Sequence, residues 1–295
     1  MAEAETKAPI THLNAAWQDW LTTNIMRGCT EADMLKVMAD NGFEPLFSRH
    51  AIGVVRSMAD RLNANGGAPS VVEYKSDPIR LPPGTVVRAH DRDVRIAMVL
   101  VNPNVALIDG LLSEQECDKL IQLTAGKMKS SEVVDRQSGG SYQSNVRKSE
   151  GCHFERGENA LVQRLEERIC ALTGIPVDHG EPLQMLHYGV GGEYLAHQDF
   201  FEPKDPGSAK LTQVGGQRVA TLVMYLNEVA EGGSTDFPEL ELSIKPKKGS
   251  AVYFEYHNEA GQIDTRCLHA GMPVARGDKW IVTKWLRQRP YVAAG

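Results

Sequence analysis

Long apolar runs are absent from this 295-residue chain. No stretch approaches the roughly 20 apolar residues that a membrane-spanning helix needs, which argues against a membrane protein. The opening, MAEAETKAPITHLN, lacks a charged head followed by an apolar stretch, so no secretion signal is read there and a cytoplasmic location is expected. Positive charge is not in excess: 32 Lys and Arg stand against 38 Asp and Glu, a formal net charge of −6. Binding a phosphate backbone requires a basic footprint, so nucleic acid is not an expected partner. Lys245, Lys247 and Lys248 do cluster, but with Pro246 and Gly249 they read as a solvated turn. Cysteine is sparse. Cys29, Cys117, Cys152, Cys170 and Cys267 are odd in number, widely spaced and without a CxxC pair, which points to reduced thiols instead of a disulfide framework or a zinc knuckle.

What remains is an ordinary globular composition, 42% hydrophobic and 24% charged, sufficient for one large domain or two modest ones with a sizeable core. Apolar residues recur at helical spacing in 16–25, 34–38 and 52–62, with helix-start signals at Thr30 and Ser48. Residues 64–93 are rich in Gly, Pro, Asn and Ser and read as a linker, so the division expected is a helical region over 1–92 and a second domain over 93–295. From Ile96 the pattern becomes short β-like runs at 96–101, 106–108, 183–188, 218–226, 251–256 and 280–285. Two helices interrupt them. One starts at Ser113, with Glu116 completing a capping box, and one covers 160–172 and ends at Gly174 before Pro176. This predicts a sandwich or barrel of antiparallel sheet, with helices on one outer face.

The chemistry concentrates in Tyr194-Leu-Ala-His197-Gln-Asp199, which reads as a strand end. Residues two apart on a strand project from one face, about 6–7 Å apart at the backbone, so an imidazole and a carboxylate can converge on one ion. A second histidine from a distant strand would complete a facial triad and leave the opposite side of Fe(II) open. Such a triplet is common by itself: His153-Phe-Glu155, His179-Gly-Glu181 and His257-Asn-Glu259 also occur. His197 and Asp199 stand out because Arg266-Cys-Leu-His269 follows downstream, and then Lys279 in Gly277-Asp-Lys-Trp-Ile-Val-Thr-Lys-Trp285. The glycines of Gly189-Val-Gly-Gly192 do not have GxGxxG spacing and lie between two strands, so they read as a tight hairpin connection and not as a nucleotide loop.

With these residues in hand, the chain resembles the prolyl 4-hydroxylase family of Fe(II)- and 2-oxoglutarate-dependent dioxygenases over about 190 residues. The resemblance is carried by Val146-Arg-Lys-Ser-Glu-Gly151, Leu183-Gln-Met-Leu-His-Tyr-Gly-Val-Gly-Gly192, the His197 and Asp199 pair, Arg218-Val-Ala-Thr, Glu231-Gly-Gly-Ser-Thr-Asp-Phe-Pro238, Pro246-Lys-Lys-Gly249, and His269 through Lys279 to Trp285. It implies a mainly β fold with supporting helices, a double-stranded β-helix of the jelly-roll or cupin kind carrying an N-terminal helical extension. It implies that His197, Asp199 and His269 ligate iron and that Lys279 pairs with the distal carboxylate of 2-oxoglutarate, whose charge needs a buried cation. Thr235 and Tyr188 match positions that hydrogen-bond this co-substrate. Tyr194, Arg218 and Trp285 match positions lining the substrate side, and Glu181 matches an acid that orients the arginine. The family often has a histidine where this chain has Arg287, so Arg287 joins the substrate-side candidates.

The reaction implied is hydroxylation of a C–H bond with O2 and 2-oxoglutarate as co-substrates, release of succinate and CO2, and ascorbate as a supporting reductant. A proline in a peptide or protein is the leading substrate. The alternatives are a free amino acid or small metabolite, and a catalytically silent module that grips proline-rich peptides. Loops 130–144 and 202–217 are long for structureless connections and are expected to fold over the substrate. The apolar faces of the N-terminal helices are expected to pack on the catalytic domain or on a second copy in a homodimer.

Overall fold

The helical periodicity of the first ninety residues is realised as α1 (Ala15–Met26), α2 (Glu31–Asp40) and α3 (Pro45–Ala64) in a computed structural model that describes residues 10, 13–64, 74–134, 138, 140–143 and 148–291. Asn14 caps α1 by accepting from Trp17 N at 3.0 Å, and Thr30 caps α2 by accepting from Asp33 N at 3.2 Å. Ser48, a helix-start signal by residue type, instead lies inside α3 and donates to the Glu44 carbonyl at 2.9 Å. Pro45 at the first helical position fixes the start, and Glu44 accepts from Phe47 N at 2.6 Å. The apolar faces of these helices meet one another around Leu21, Met34, Met38, Phe43 and Ile52, with Trp17 edge-on to Phe43 at 4.8 Å between centroids.

Glu73–Tyr194 and the residues from Gln198 onward group as a second compact unit, while Leu195–His197 groups with the first. From Glu73 the strands and helices follow in order as β1 (Val86–Ala89), β2 (Arg92–Val101), β3 (Asn104–Asp109), α4 (Glu114–Leu123), β4 (Lys129–Ser130), β5 (Glu132–Val134), β6 (Ser141–Gln143) and β7 (Glu150–Phe154). Then come α5 (Ala160–Thr173), β8 (Leu183–Tyr188), β9 (Tyr194–His197), α6 (Ser208–Gln213), β10 (Arg218–Tyr225), β11 (Glu231–Gly232) and β12 (Thr235–Phe237). The last are β13 (Leu242–Ile244), β14 (Ala251–Glu255), β15 (His269–Gly271), β16 (Val274–Arg276) and β17 (Lys279–Arg287). Nine of them form one sheet in the order β1-β2-β3-β14-β10-β17-β8-β7-β4, and β13-β12-β15-β9 form a second. Among the described residues no helix is long and apolar enough to cross a membrane.

Several sequence expectations change here. Part of the stretch read as linker is strand, because Val87, Ala89 and Val94 alternate inward and His90, at φ 54°, turns β1 into β2. Polar residues around that turn hid the hairpin. The two long loops also have structure of their own. Within 130–144, β5 pairs with β6, although residues 135–137, 139 and 144 lie outside those described; α6 occupies the middle of 202–217. The capping box at Ser113 and Glu116 is present, and Gly174 ends α5 at φ 67°.

Alternation along the central strands sets the layers. Ala220, Leu222 and Met224 of β10, Leu183 and Met185 of β8 and Val282 of β17 pack with α4 and α5, through Leu120, Val162, Leu165 and Ile169. Their neighbours Val223, Tyr225, Leu186, Tyr188 and Ile281 turn the other way and pack with Phe237 and Ile244 of the second sheet and with Val274 of β16. All eight residues of β10 are buried, as a strand covered on both faces must be. At its start the register shifts between Arg218 and Ala220. That bulge brings Arg218, opposite Arg287, onto the face that also carries Thr221, opposite Trp285.

Candidate metal centre and co-substrate cradle

His197 closes β9, Asp199 follows two residues later, and His269 opens β15 in the same four-stranded sheet. One ligand atom from each lies within 4.8 Å of the others, the only such group of histidine, cysteine and acid found among the described residues. The other His-x-acid triplets form no such cluster there. Asp199 and His269 are each 5% exposed.

The ligands are held from behind. His197 Nδ1 lies 2.9 Å from the Leu195 carbonyl and His269 Nδ1 lies 3.1 Å from the Cys267 carbonyl. A carbonyl only accepts, so each Nδ1 carries the proton and each Nε2 is the nitrogen that could bind a metal. Thr221 Oγ1 donates to Asp199 Oδ2 at 2.7 Å and lies 3.0 Å from Tyr256 Oη. Since Thr221 gives its one proton to the carboxylate, the phenol must donate to Thr221. Burial, and then the nearby Asp199 charge, push the Tyr256 phenol well above its ordinary range, so it stays neutral and able to donate. Phe254 meets the His269 ring edge-on at 4.7 Å. Outer partners of this kind hold a metal ligand's orientation, so Thr221→Val should weaken Fe(II) or Mn(II) affinity roughly 10–100-fold, read by metal titration. An affinity equal to the parent's would show that Asp199 is fixed without Thr221.

Lys279, the first residue of β17, is 2% exposed. Its nearest hydrogen-bond acceptor is the Ser234 carbonyl at 3.5 Å, and its ammonium sits 5.8 Å from the Tyr188 ring and 5.9 Å from the Tyr225 ring. No ion pair to Lys279 is present among the described residues. Burial therefore pulls its pKa down from 10.5 to about 7, with Asp236 opposing weakly. Tyr225 donates to Thr235 Oγ1 at 2.8 Å, and burial raises the Tyr225 phenol above its ordinary range. A buried amine with no ion pair among the described residues and two tyrosine rings near it fits one carboxylate of a dicarboxylate. Two imidazole nitrogens and one carboxylate converging from one side fit Fe(II) with open positions.

The expected substrate-side residues form a third group. Glu181 Oε1 accepts from Arg218 Nε at 2.7 Å and Oε2 from Nη2 at 2.9 Å, while Arg218 Nη1 donates to the Asp199 carbonyl at 3.2 Å. Burial would raise the Glu181 carboxyl, but Arg218 and then Arg287 outweigh it and hold it below the ordinary range. The Arg218 guanidinium stacks 3.9 Å above the Trp285 ring and lies 4.8 Å from Phe201. Trp285 Nε1 is buried with no hydrogen-bond partner among the described residues. Tyr194 is partly buried and packs on the core that carries Tyr188 and Tyr225. Arg287 Nη1 donates to the Gly216 carbonyl at 2.6 Å and Nη2 to the Leu211 carbonyl at 3.0 Å, so its fork is committed to loop 202–217.

Sequence alone does not single out Thr221, Tyr225 and Tyr256. The signal for Thr221 and Tyr225 is the period of two along β10, which puts both on one face. Tyr256 gives no such signal, because its role depends on a contact with Thr221 across strands.

The family model of the 2OG-Fe(II) oxygenase superfamily matches residues 183–287, which span every candidate above except Glu181. Curated relatives include "Probable prolyl 4-hydroxylase 10" of Arabidopsis thaliana, 37% identical over 215 residues that cover 66% of this chain and 73% of that one. "Prolyl 4-hydroxylase 5" of the same plant is 38% identical over 209 residues, 64% of this chain and 70% of its own. Among solved structures, the 2OG complex of a viral collagen prolyl hydroxylase from Paramecium Bursaria Chlorella virus-1 is similar at TM-score 0.49 and 31% identity, covering 62% of this chain and 95% of that one. The antiparallel double-stranded β-helix and its His-Asp-His site define a 2-oxoglutarate-dependent dioxygenase of iron. This chain belongs to the prolyl 4-hydroxylase family.

Proposed function

We propose that this protein hydroxylates proline within a peptide or protein, with His197, Asp199 and His269 holding Fe(II) and Lys279 anchoring 2-oxoglutarate. The observation that carries the reading is the triad, with its ligand atoms within 4.8 Å of one another, tied through the Asp199 carbonyl to Arg218, whose guanidinium stacks 3.9 Å from Trp285; the buried Lys279 supports it. Relatives named prolyl 4-hydroxylases support the choice of proline. When bound, iron, 2-oxoglutarate and O2 supply the C–H hydroxylation, with release of succinate and CO2.

The chain's own groups do the rest. Lys279, with Tyr188 on one side and the Tyr225–Thr235 pair on the other, binds and orients the distal carboxylate. Tyr256 and Thr221 keep Asp199 pointed at the metal. Trp285 and Tyr194, both partly buried, offer flat apolar surfaces suited to a pyrrolidine ring. Arg218, oriented by Glu181, fixes the edge of that wall.

The test is a panel of proline-containing peptides incubated with protein, Fe(II), 2-oxoglutarate, O2 and ascorbate. The expected result is a peptide heavier by one oxygen atom, with the change at proline and an equal amount of succinate. Turnover confined to free proline or other small metabolites would overturn the peptide assignment. Absence of succinate under every condition would favour a binding module.

A further inference from the structure

Arg287 stands where the family pattern often has histidine, and its surroundings show what it does instead. Loop 202–217 leaves the site directly after Asp199-Phe200-Phe201 and returns at Arg218. At its base the Gln217 side chain clamps Phe201, accepting from Phe201 N at 2.8 Å and donating to the Phe201 carbonyl at 2.7 Å. The far side of the loop is fastened to the end of β17. Arg287 Nη1 and Nη2 donate to the Gly216 and Leu211 carbonyls, Arg289 N donates to the Gly215 carbonyl at 2.9 Å, and Gln217 N donates to Gln288 Oε1 at 2.9 Å.

The close fit depends on two glycines. Gly215 and Gly216 sit at φ 76° and 73°, where a side chain is disfavoured. A Cβ at Gly215 would meet Arg287 Cγ at 3.2 Å and Tyr291 Cδ2 at 3.0 Å; one at Gly216 would meet Gln288 Oε1 at 2.8 Å. The backbone of the loop thus lies directly on the Arg287-Gln288-Arg289 segment. On its inner side Arg287 reaches the substrate wall: Nε is 2.8 Å from Glu181 Oε1, the oxygen that Arg218 Nε also uses, and the guanidinium lies 4.8 Å from Phe201. Phe201 is flanked by two guanidiniums, each 4.8 Å from its ring centre.

We propose that Arg287 is a positioning residue for the peptide site. It latches loop 202–217 to the end of β17 and braces Glu181, so that Arg218 stays on Trp285 and Phe201 stays in the wall. In this chain, loop 202–217 is a fixed rim of the site and not a swinging lid. The proposal rests on the peptide-facing reading of Arg218 and Trp285 given above.

Hydrogen exchange of the full-length protein tests the latch without substrate. In Arg287→Ala, amides of 202–217 should exchange about tenfold or more faster, the size expected when charged hydrogen bonds are lost, while β8 and β14 keep their protection. Arg287→Lys keeps a charge near Glu181 but cannot bridge two carbonyls, so its loop should exchange like that of the alanine variant. Gly216→Ala should loosen the same segment with Arg287 intact. In turnover, Arg287→Ala should raise the KM for the best proline peptide about tenfold, while kcat and the KM for the co-substrate stay within about twofold. Unchanged loop exchange in Arg287→Ala, full restoration by lysine, or uniform loss of protection across the catalytic unit would each overturn the proposal. If the parent protein turns over no peptide, the peptide reading fails, yet loop exchange still decides whether the latch exists.

Discussion

Exchanging His197 for alanine should leave a folded protein that no longer retains Fe(II) and forms no succinate. Three protein groups converge on one point, with His269 Nε2 and Asp199 Oδ2 already 3.6 Å apart. Removing one of three ligands should reduce metal affinity by more than the roughly 10–100-fold that an outer partner contributes, so retention after desalting falls below detection. The fold should survive, because His197 is only partly buried and its Nδ1 bond to Leu195 is local. Fe(II) or Mn(II) titration, with thermal melting in the presence and absence of metal, reads both parts of the expectation. In the parent, metal that binds only the folded state raises the melting temperature, and in His197→Ala that rise should disappear. Asp199→Asn provides a second variant of nearly the same shape, still able to accept from Thr221 but without the charge. If His197→Ala binds metal as the parent does, the triad is not the metal site.

Those ligands were legible in the sequence because a facial triad has a short local signature, His-x-Asp, followed at a distance by His269 and Lys279. The strands that carry them were legible for a similar reason. Leu183–Tyr188 and the 251–256 run are short, apolar and bounded by turn residues, and both appear as strands with nearly the expected ends. What stayed hidden depends on contacts between distant segments. Nothing local marks Thr221 as the donor to Asp199, since the geometry comes from the bulge at the start of β10 and the approach of Tyr256. The same holds for Arg287. Its place in the family pattern suggested a substrate-side role, but its direction is set by Gly215 and Gly216 packing against it, 71 or more positions away in the chain. Ser48 shows the reverse case, where a strong local signal lost to Pro45 three positions earlier.

Lys279→Met should raise the concentration of 2-oxoglutarate needed for half-maximal turnover by at least about a hundredfold, because it leaves a buried carboxylate without its cation. Arg287 cannot replace it, since its Nη1 and Nη2 donate to the Gly216 and Leu211 carbonyls and its charge is paired with Glu181. The lowered pKa adds a pH signature. Before co-substrate binds, burial holds Lys279 near pKa 7. A carboxylate beside it favours the ammonium and raises that pKa in the complex. Below pH 7 the lysine is already charged, so 2-oxoglutarate affinity should be flat there. Above pH 7 binding must take up a proton, and affinity should fall by up to about tenfold per pH unit until the pKa of the complex is reached. Stability of the protein without co-substrate should move in the opposite direction. The unfolded chain holds a proton on this lysine up to its ordinary pKa of 10.5, whereas the folded protein releases it near 7. Stability therefore rises with pH between about 7 and 10.5, and the burial penalty, on the order of 4 kcal/mol at pH 7, is fully present below that window and gone above it. The methionine variant escapes this penalty, so it should melt higher than the parent at pH 6–7, with the gap closing towards pH 10. Co-substrate titrations from pH 6 to 9 and melting curves over the same range test both arms. An unaltered 2-oxoglutarate requirement in Lys279→Met would mean that another cation holds the distal carboxylate, whereas a flat pH dependence in the parent would mean that Lys279 stays charged in its pocket before the co-substrate arrives.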